Sequence, residues 1–220
     1  MNLRIARGWP VWVSLLFASL AVAAGAREPI TRTWEVGGVK REALLWLPAQ
    51  TPEGGAPVVF LFHGHGGTAA QIARSLPVPQ LWPEALVVSM QGLPTRGQLT
   101  DPAGQKAGWQ ARPGAEGDRD LAFFDVVWAT LQRDYRVDGR RVYATGHSNG
   151  GGFTYLLWAT RRSVFAAFAP SSAVAPRDAL PREPAPVLHL AGSADPLVKF
   201  AWQERLIGWL RRLDRCEGRA

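Results

Sequence analysis

The chain has 220 residues, of which 47% are hydrophobic, and its formal net charge is +7. This length supports one domain with a substantial core and is too short for two ordinary domains. The basic residues are scattered and form no long run, which favours a solvated surface over a nucleic-acid or membrane-binding patch. Cys216 is the only cysteine, which excludes an internal disulfide bond.

The N-terminal segment has the pattern of a secretory signal peptide. Arginines precede an apolar run over residues 11–24, and small residues follow at a suitable cleavage position. The alternative is an uncleaved membrane anchor, but the run is about 14 residues long, below the roughly 20 that span a bilayer. We expect a signal peptide over residues 1–26, a globular domain over 27–220, a secreted product and no stable membrane anchoring after cleavage.

Apolar runs and helical patterns alternate along the remaining sequence. Residues 31–36 and 42–47, joined at Gly37-Gly38, predict an antiparallel hairpin. Continuous apolar runs that predict strands buried on both faces occupy residues 58–62, 86–90, 142–145 and 187–190. Helical patterns occupy residues 69–76, 119–135, 152–161 and 200–213. This order predicts an α/β fold with a mostly parallel sheet covered by helices on both faces.

Two irregular segments interrupt this alternation. Residues 92–118 are rich in Gly, Pro, Gln and Asp and predict a long loop above the strand ends, where loops usually shape a pocket. Residues 176–186 predict a second irregular connection. The acidic residues on or beside the 119–135 helix are expected to be surface or capping charges; they are Asp120, Asp125, Asp134 and Asp138.

Residues 146–150 read Gly-His-Ser-Asn-Gly, a G-x-S-x-G motif between a predicted strand and a predicted helix. In this context the serine lies on a sharp turn whose strained backbone lifts the hydroxyl clear, and the flanking glycines avoid a collision of side chains. The motif therefore identifies Ser148 as a candidate nucleophile. The alternative is a glycine-rich turn in which Ser148 only caps the following helix.

Acyl transfer by a serine also needs donors for the oxyanion. One is expected to be the main-chain N–H of Asn149, at the start of the helix. The other is expected in the His-Gly-rich loop 63–67 after a buried strand, at the N–H of His65. A metal site built from His63 and His65 is the alternative, but the sequence offers no obvious third ligand cluster.

The orienting acid is expected at Asp195, in the turn after the 187–190 strand, because nucleophile, acid, histidine is the chain order of this class. The alternative is an Asp-Pro turn that only starts the next helix. No histidine follows Asp195, so the expected general base is missing. Of the earlier histidines, His63 is expected to be buried and to organise its own loop. His147 and His189 are expected to be buried and hydrogen-bonded.

An ordered set of motifs resembles a known family. The segments are 62–67 (Phe-His-Gly-His-Gly-Gly), 108–110 (Gly-Trp-Gln), 117–120 (Gly-Asp-Arg-Asp), 141–151 (Arg-Val-Tyr-Ala-Thr-Gly-His-Ser-Asn-Gly-Gly), 165–167 (Phe-Ala-Ala) and 192–196 (Gly-Ser-Ala-Asp-Pro). Over residues 30–213 the chain resembles the secreted polyhydroxybutyrate depolymerase and feruloyl esterase group of α/β-hydrolases. The resemblance implies serine-dependent hydrolysis of small or polymeric esters outside the cytoplasm, catalytic roles for Ser148 and Asp195, and a place for Trp109 in a loop bordering the acyl pocket.

The chain departs from this group at its end. Relatives continue past the position of Cys216 with a further strand and the catalytic histidine, so the α/β-hydrolase domain is expected to be C-terminally truncated and nearly inactive. The alternative function is that of a shortened, non-catalytic exported protein that binds an aromatic ester, saccharide or polyester. Neither a cofactor nor a metal is expected, because the serine mechanism needs none and no nucleotide-binding motif is present.

Overall fold

The computed structural model describes residues 27–97 and 99–216; the predicted signal peptide lies outside them. The strands are β1 (Ile30–Val36), β2 (Val39–Trp46), β3 (Ala56–Phe62), β4 (Leu86–Met90), β5 (Leu93–Pro94), β6 (Ala107–Gly108), β7 (Val137–His147) and β8 (Ala167–Ser171). The α-helices are α1 (Ala69–Ser75), α2 (Val78–Leu81), α3 (Arg119–Asp134), α4 (Asn149–Arg161) and α5 (Phe200–Leu213). Short 3₁₀ helices occupy Ala115–Asp118, Arg162–Val164 and Arg177–Ala179. Within the described ranges, no helix has the length and apolar character needed to cross a bilayer.

Six strands form one mixed sheet in the order β1-β2-β4-β3-β7-β8. The first three pair antiparallel, and β4, β3, β7 and β8 are parallel to one another. Parallel neighbours end at the same edge of a sheet, so the segments that follow β3 and β7 lie side by side. The predicted hairpin is confirmed, and both glycines of its turn have positive φ, 59° at Gly37 and 75° at Gly38.

The central strand β3 is buried along its whole length. Its side chains alternate between two faces, so Phe60 and Phe62 belong to one core while Val59 and Leu61 belong to another. Residues of α3, α4 and α5 complete the first core, and residues of α1 complete the second. The predicted mostly parallel sheet with helices on both faces is therefore confirmed.

The prediction of a strand buried on both faces is wrong for residues 187–190, where Leu188 and Leu190 are 60% and 50% exposed. This segment joins the sheet edge only through two isolated parallel bridges, Phe168 to Val187 and Ser171 to Leu190. Main-chain bonds from Leu188 N to Phe168 O (3.0 Å) and from Ser172 N to Leu190 O (2.8 Å) still hold it beside β8. The segment thus continues the sheet in register and leads directly into the turn that carries Asp195.

Two of the acidic residues assigned to the surface are buried, so that expectation is wrong for Asp138, which pairs with Arg141 in β7, and for Asp120, which lies in the core. The Asp120 side chain is 0% exposed and forms an ion pair with the 1% exposed side chain of Arg41 at 2.8 Å. The other Asp120 oxygen accepts a hydrogen bond from Gln110 N at 2.8 Å. The long loop 92–118 is mostly irregular, as predicted, and this bond fixes its C-terminal part to the first turn of α3.

Candidate active site

Ser148 lies at the junction between β7 and α4, as the G-x-S-x-G motif predicts. Its backbone angles, φ 54° and ψ −118°, fall in a strained region that non-glycine residues rarely adopt. The chain can turn this sharply only because its flanking glycines lack side chains. A Cβ on Gly146 would lie 2.5 Å from the carbonyl carbon of Gly150, and a Cβ on Gly150 would lie 2.5 Å from the His63 carbonyl oxygen.

The loop after β3 packs directly against this elbow. A Cβ on Gly64 would lie 3.6 Å from Ser148 Cβ, so the loop and the serine are in van der Waals range. The loop is held by hydrogen bonds from Gly66 N to Ala107 O (2.7 Å) and from Gly67 N to Gly64 O (2.9 Å). No described residue accepts a hydrogen bond from the main-chain N–H of His65.

Asn149 is the first residue of α4, so its N–H has no partner within the helix. Asn149, His65 and Ser148 border the same cleft. The structure therefore brings the nucleophile candidate and the two oxyanion-donor candidates together. Their catalytic roles stay predictions, since geometry alone does not test them.

The cleft beside Ser148 has a volume of about 250 Å³. His65, Arg96, Thr100, Ser148 and Asn149 supply its polar wall. The rest of the lining is small or aliphatic: Gly97, Leu99, Ala111, Gly152, Ala173, Val174, Ala175, Pro176, Leu197 and Val198. A mostly apolar cleft with a few converging polar groups is typical of a small-molecule site.

Trp109 is not among the residues that line this cleft. Its side chain is 1% exposed and packs near the rings of Phe62 and Phe153, with ring centroids 5.3 and 5.2 Å away. The indole Nε1–H donates a hydrogen bond to His63 O at 2.9 Å. Trp109 therefore supports the loop that carries His65, and its contact with substrate stays a prediction.

Asp195 lies in the turn before α5, near the carboxyl ends of β7 and β8. Its Oδ1 accepts hydrogen bonds from Leu197 N and Val198 N, each at 2.9 Å. Burial opposes ionisation, but these two amides, the Ser172 side chain and the charge of His147 outweigh it and lower the pKa of Asp195. The carboxylate is therefore ionised at neutral pH, as an acid that orients an imidazole must be.

His63 has the predicted buried structural role, whereas His189 is hydrogen-bonded as predicted but not fully buried. His63 is buried; its Nδ1–H donates to Gly64 O at 2.8 Å while Nε2 accepts from Gly92 N at 2.9 Å. His189 is half-buried, with Nδ1 2.5 Å from the Tyr155 hydroxyl and Nε2 3.1 Å from Gln203 Oε1. Burial lowers the pKa of both imidazoles, so both are neutral at pH 7.

The other two histidines are nearer the cleft. His147 was expected to be buried, and this is wrong: it is exposed, because it follows the last buried residue of β7, and its Nδ1 lies 3.1 Å from Ser171 Oγ. The His65 ring is almost buried and bonds Asp101 Oδ2 through Nε2 at 3.2 Å. All four histidines belong to the described ranges, and no ring there is hydrogen-bonded to the Ser148 hydroxyl.

The His63 ring is bonded to Gly64 and Gly92, and the His65 ring is bonded to Asp101. These separate contacts do not favour the alternative that the two rings share a metal ion. In the part of the chain that the structure describes, no group of three or more His, Cys, Asp or Glu side chains is placed to hold a metal.

Comparison with known proteins places this site in a family context. Residues 42–198 match the family model described as Esterase PHB depolymerase. The chain is 33% identical over 132 residues to a probable feruloyl esterase C of Aspergillus clavatus, covering 58% of this chain and 44% of that protein. It is 32% identical over 157 residues to the putative esterase NocK of Nocardia uniformis subsp. tsuyamanensis, covering 68% and 42%.

The chain thus spans less than half the length of these two relatives. The solved structure of a thermostable esterase has the same fold, with a TM-score of 0.65 at 20% sequence identity over 85% of this chain and 52% of that chain. The motifs that carried the resemblance, from the strand before His63 to the turn at Asp195, lie inside the matched residues 42–198. The chain belongs to the Esterase PHB depolymerase family.

Proposed function

We propose that the protein is a secreted serine hydrolase of carboxylic esters that forms an acyl-enzyme at Ser148. The observation that carries this proposal is the strained elbow at Ser148, packed against the His65 loop at the head of the cleft. Secretion rests on the signal-peptide pattern of residues 1–26, with residues 27–220 as the α/β-hydrolase domain.

In this mechanism Ser148 Oγ attacks the ester carbonyl carbon, and the carbonyl oxygen becomes an oxyanion. The N–H groups of His65 and Asn149 donate to that oxygen, and one such donor typically contributes about 3–4 kcal/mol of transition-state stabilisation. The serine proton passes to a base, which returns it to the leaving oxygen so that the alcohol departs; water, deprotonated by the same base, then cleaves the acyl-serine, and the carboxylic acid and the Ser148 hydroxyl are released. Asp195 is ionised and can hold an imidazolium next to the serine; both of its main-chain donors reach Oδ1, so they do not use Oδ2.

No imidazole of this chain is positioned to act as the general base. Both ring nitrogens of His63 and of His189 are hydrogen-bonded to other groups. His65 is bonded through Nε2 to Asp101, and its buried Nδ1 has no partner among the described residues. His147 is bonded through Nδ1 to Ser171, and none of these rings is bonded to the Ser148 hydroxyl. Loss of the histidine from a triad lowers turnover by on the order of 10⁶-fold. We therefore expect little Ser148-dependent hydrolysis without an added base, and rescue by a base that can diffuse into the space between Ser148 and Asp195.

The test is hydrolysis of p-nitrophenyl butyrate by the purified protein with increasing concentrations of imidazole. Because imidazole also cleaves this ester in solution, the Ser148→Ala variant at the same imidazole concentration supplies the background. We expect an imidazole-dependent rate above that background. The variant Ser163→Ala changes an exposed serine outside the cleft and serves as the matched control.

A diethyl p-nitrophenyl phosphate adduct located by mass spectrometry gives an independent readout of the same serine. With imidazole present, adduct formation at Ser148 in the wild type, and none in Ser148→Ala, supports the nucleophile assignment. Equal rates in wild type and Ser148→Ala at every imidazole concentration, without an adduct at Ser148, would contradict it. Tight binding of butyrate esters with no turnover would instead support the alternative of a non-catalytic binding protein.

The lining of the cleft favours an aliphatic acyl group. No Phe, Tyr or Trp is among the described residues that line it, the indole of Trp109 is covered, and the His65 ring is almost buried, so none of these rings is exposed to stack on a feruloyl group. We expect the imidazole-rescued rate to be higher with p-nitrophenyl butyrate or a hydroxybutyrate ester than with methyl ferulate. A preference for ferulate would show that Trp109 or another aromatic side chain becomes accessible to substrate.

A further inference from the structure

Three hydrogen-bonded side chains connect the turn that carries Asp195 to the helix that follows Ser148; two of them are buried and the third, His189, is half-buried. Gln203, in the first turn of α5, donates from Nε2 to Val198 O at 2.7 Å. Gln203 Oε1 lies 3.1 Å from His189 Nε2, and His189 Nδ1 lies 2.5 Å from the hydroxyl of Tyr155 on α4. Tyr155 and Gln203 are both 0% exposed.

The last acceptor, Val198 O, determines the direction of each hydrogen bond between these side chains. A carbonyl oxygen only accepts, so Val198 O requires the NH₂ group of Gln203 and turns Gln203 Oε1 towards His189. That oxygen requires an N–H at His189 Nε2. The neutral ring then has a lone pair at Nδ1, which accepts a hydrogen bond from the Tyr155 hydroxyl. Burial raises the pKa of Tyr155, so this hydroxyl remains protonated.

The same arrangement reaches the carboxylate of Asp195 through one residue. Val198 accepts from Gln203 through its carbonyl and donates to Asp195 Oδ1 through its N–H at 2.9 Å. Because both groups belong to Val198, a fixed carbonyl restricts the direction in which the Val198 N–H points towards Asp195. Val198 is also buried, so neither group exchanges its partner for bulk water at low cost.

We propose that Tyr155, His189 and Gln203 act as positioning residues that hold the Asp195 carboxylate in place relative to Ser148. None of them lines the cleft beside Ser148. The catalytic meaning of this role rests on the proposed function, whereas the physical link to Asp195 does not. Helix α4 begins immediately after Ser148, so the chain of bonds connects the nucleophile's helix to the turn of the acid.

The test is the pKa of Asp195, measured by ¹³C NMR titration of the aspartate-labelled protein and assigned by loss of the signal in Asp195→Asn. Gln203→Met removes both bonds of Gln203 at similar volume. Tyr155→Phe removes only the distal hydroxyl and keeps the ring. The matched control is Thr160→Val, which removes another hydroxyl of α4, one that donates to Leu156 O and has no part in the chain.

We expect the pKa of Asp195 to rise by about 0.5–1 unit in Gln203→Met, because the amide of Val198 is no longer held towards the carboxylate. A smaller rise is expected in Tyr155→Phe and none in Thr160→Val. An unchanged Asp195 titration in both folded variants would overturn the proposal. If Gln203→Met fails to fold by circular dichroism, Tyr155→Phe decides the result alone, since it fills the same space.

This titration uses no substrate and does not depend on turnover. Failure of the proposed function would appear as the absence of Ser148-dependent hydrolysis and of a Ser148 adduct, with the Asp195 titration still shifted by the variants. Failure of the positioning role would appear as an unshifted titration, whatever the rate of hydrolysis.

Discussion

The side chain of Asn149 exchanges two hydrogen bonds with the main chain of Trp109. Asn149 Oδ1 accepts from Trp109 N at 2.7 Å, and Asn149 Nδ2 donates to Trp109 O at 3.0 Å. Asn149, which follows the candidate nucleophile, therefore binds the 92–118 loop through one accepted and one donated hydrogen bond. This pairing fixes the start of α4 relative to the loop that supports His63.

The first prediction follows from this pair. Asn149→Ala leaves the buried N–H and C=O of Trp109 without partners, which should lower the free energy of unfolding by about 1–3 kcal/mol. Urea denaturation followed by tryptophan fluorescence measures it. Asn149→Asp keeps an acceptor for Trp109 N but places a carboxylate against Trp109 O, so it should not restore full stability. Wild-type stability in Asn149→Ala would show that water replaces the pair.

The second prediction concerns the glycines of α4. A Cβ on Gly150 would lie 2.5 Å from His63 O, whereas a Cβ on Gly152 would lie 3.6 Å from Val174 O, an ordinary contact. Gly150→Ala forces main chain against main chain and should prevent native folding or cost several kcal/mol. Gly152→Ala should fold and gain up to about 1 kcal/mol from helix propensity. Thermal denaturation of the two variants tests this contrast, and equal tolerance would contradict the close approach.

The third prediction concerns the buried ion pair of Arg41 and Asp120. Asp120→Asn leaves the Arg41 charge buried without its partner and should destabilise the protein by about 3–5 kcal/mol. The double variant Arg41→Met/Asp120→Leu removes both charges and should cost less than Asp120→Asn alone. Chemical denaturation of the three proteins measures this difference. A double variant that is much less stable than Asp120→Asn would contradict a cost due to the unpaired charge.

The fourth prediction is a dependence of stability on pH. Burial lowers the pKa of His63 and His189 below 6.5, so between their folded pKa values and 6.5 the unfolded chain binds more protons than the folded protein. Stability should therefore be full above pH 6.5 and fall as the pH decreases below it. For each imidazole the slope approaches about 1.4 kcal/mol per pH unit.

Thermal melts between pH 7.5 and 5 measure this slope. His189→Gln should reduce it, and Thr160→Val, which removes no titrating group, should keep it. The pKa values of Asp134 and Asp195 are lowered, to about 2 for Asp134. Protonation of these carboxylates therefore lowers the stability only at more acidic pH. A melting temperature that stays constant from pH 7.5 to 5 in the wild type would contradict the prediction.

Local sequence patterns predicted the parts of the site that are built from contiguous residues. The elbow at Ser148 and the buried His63 depend on glycines and strands that lie next to them in sequence. Asp120 was assigned wrongly because its partner, Arg41, is 79 residues away, so nothing near Asp120 indicates burial. Helix α2 was missed because its four residues are too few to show a helical period.

The start of α4 and the role of 187–190 show the same limit. Glycines have low helix propensity, so the sequence pattern predicted that the helix starts at residue 152. The helix in fact begins at Asn149. Its second residue, Gly150, must be glycine because its main chain lies close to His63. Residues 187–190 have the composition of a buried strand. Their pairing with β8 is limited to two bridges, because strand pairing depends on the register of a neighbour that local composition does not encode.

The pairing of β3 with β7 also bears on how the site forms. Val58 pairs with Val142, so joining these strands closes a loop of roughly 80 residues before the His65 loop meets Ser148. Each strand ends on one half of the site, and the two halves meet only when β3 and β7 pair. Ser148 should therefore acquire its reactive environment late in folding, and a pulse of diethyl p-nitrophenyl phosphate with imidazole during refolding should modify it only after most of the helices have formed.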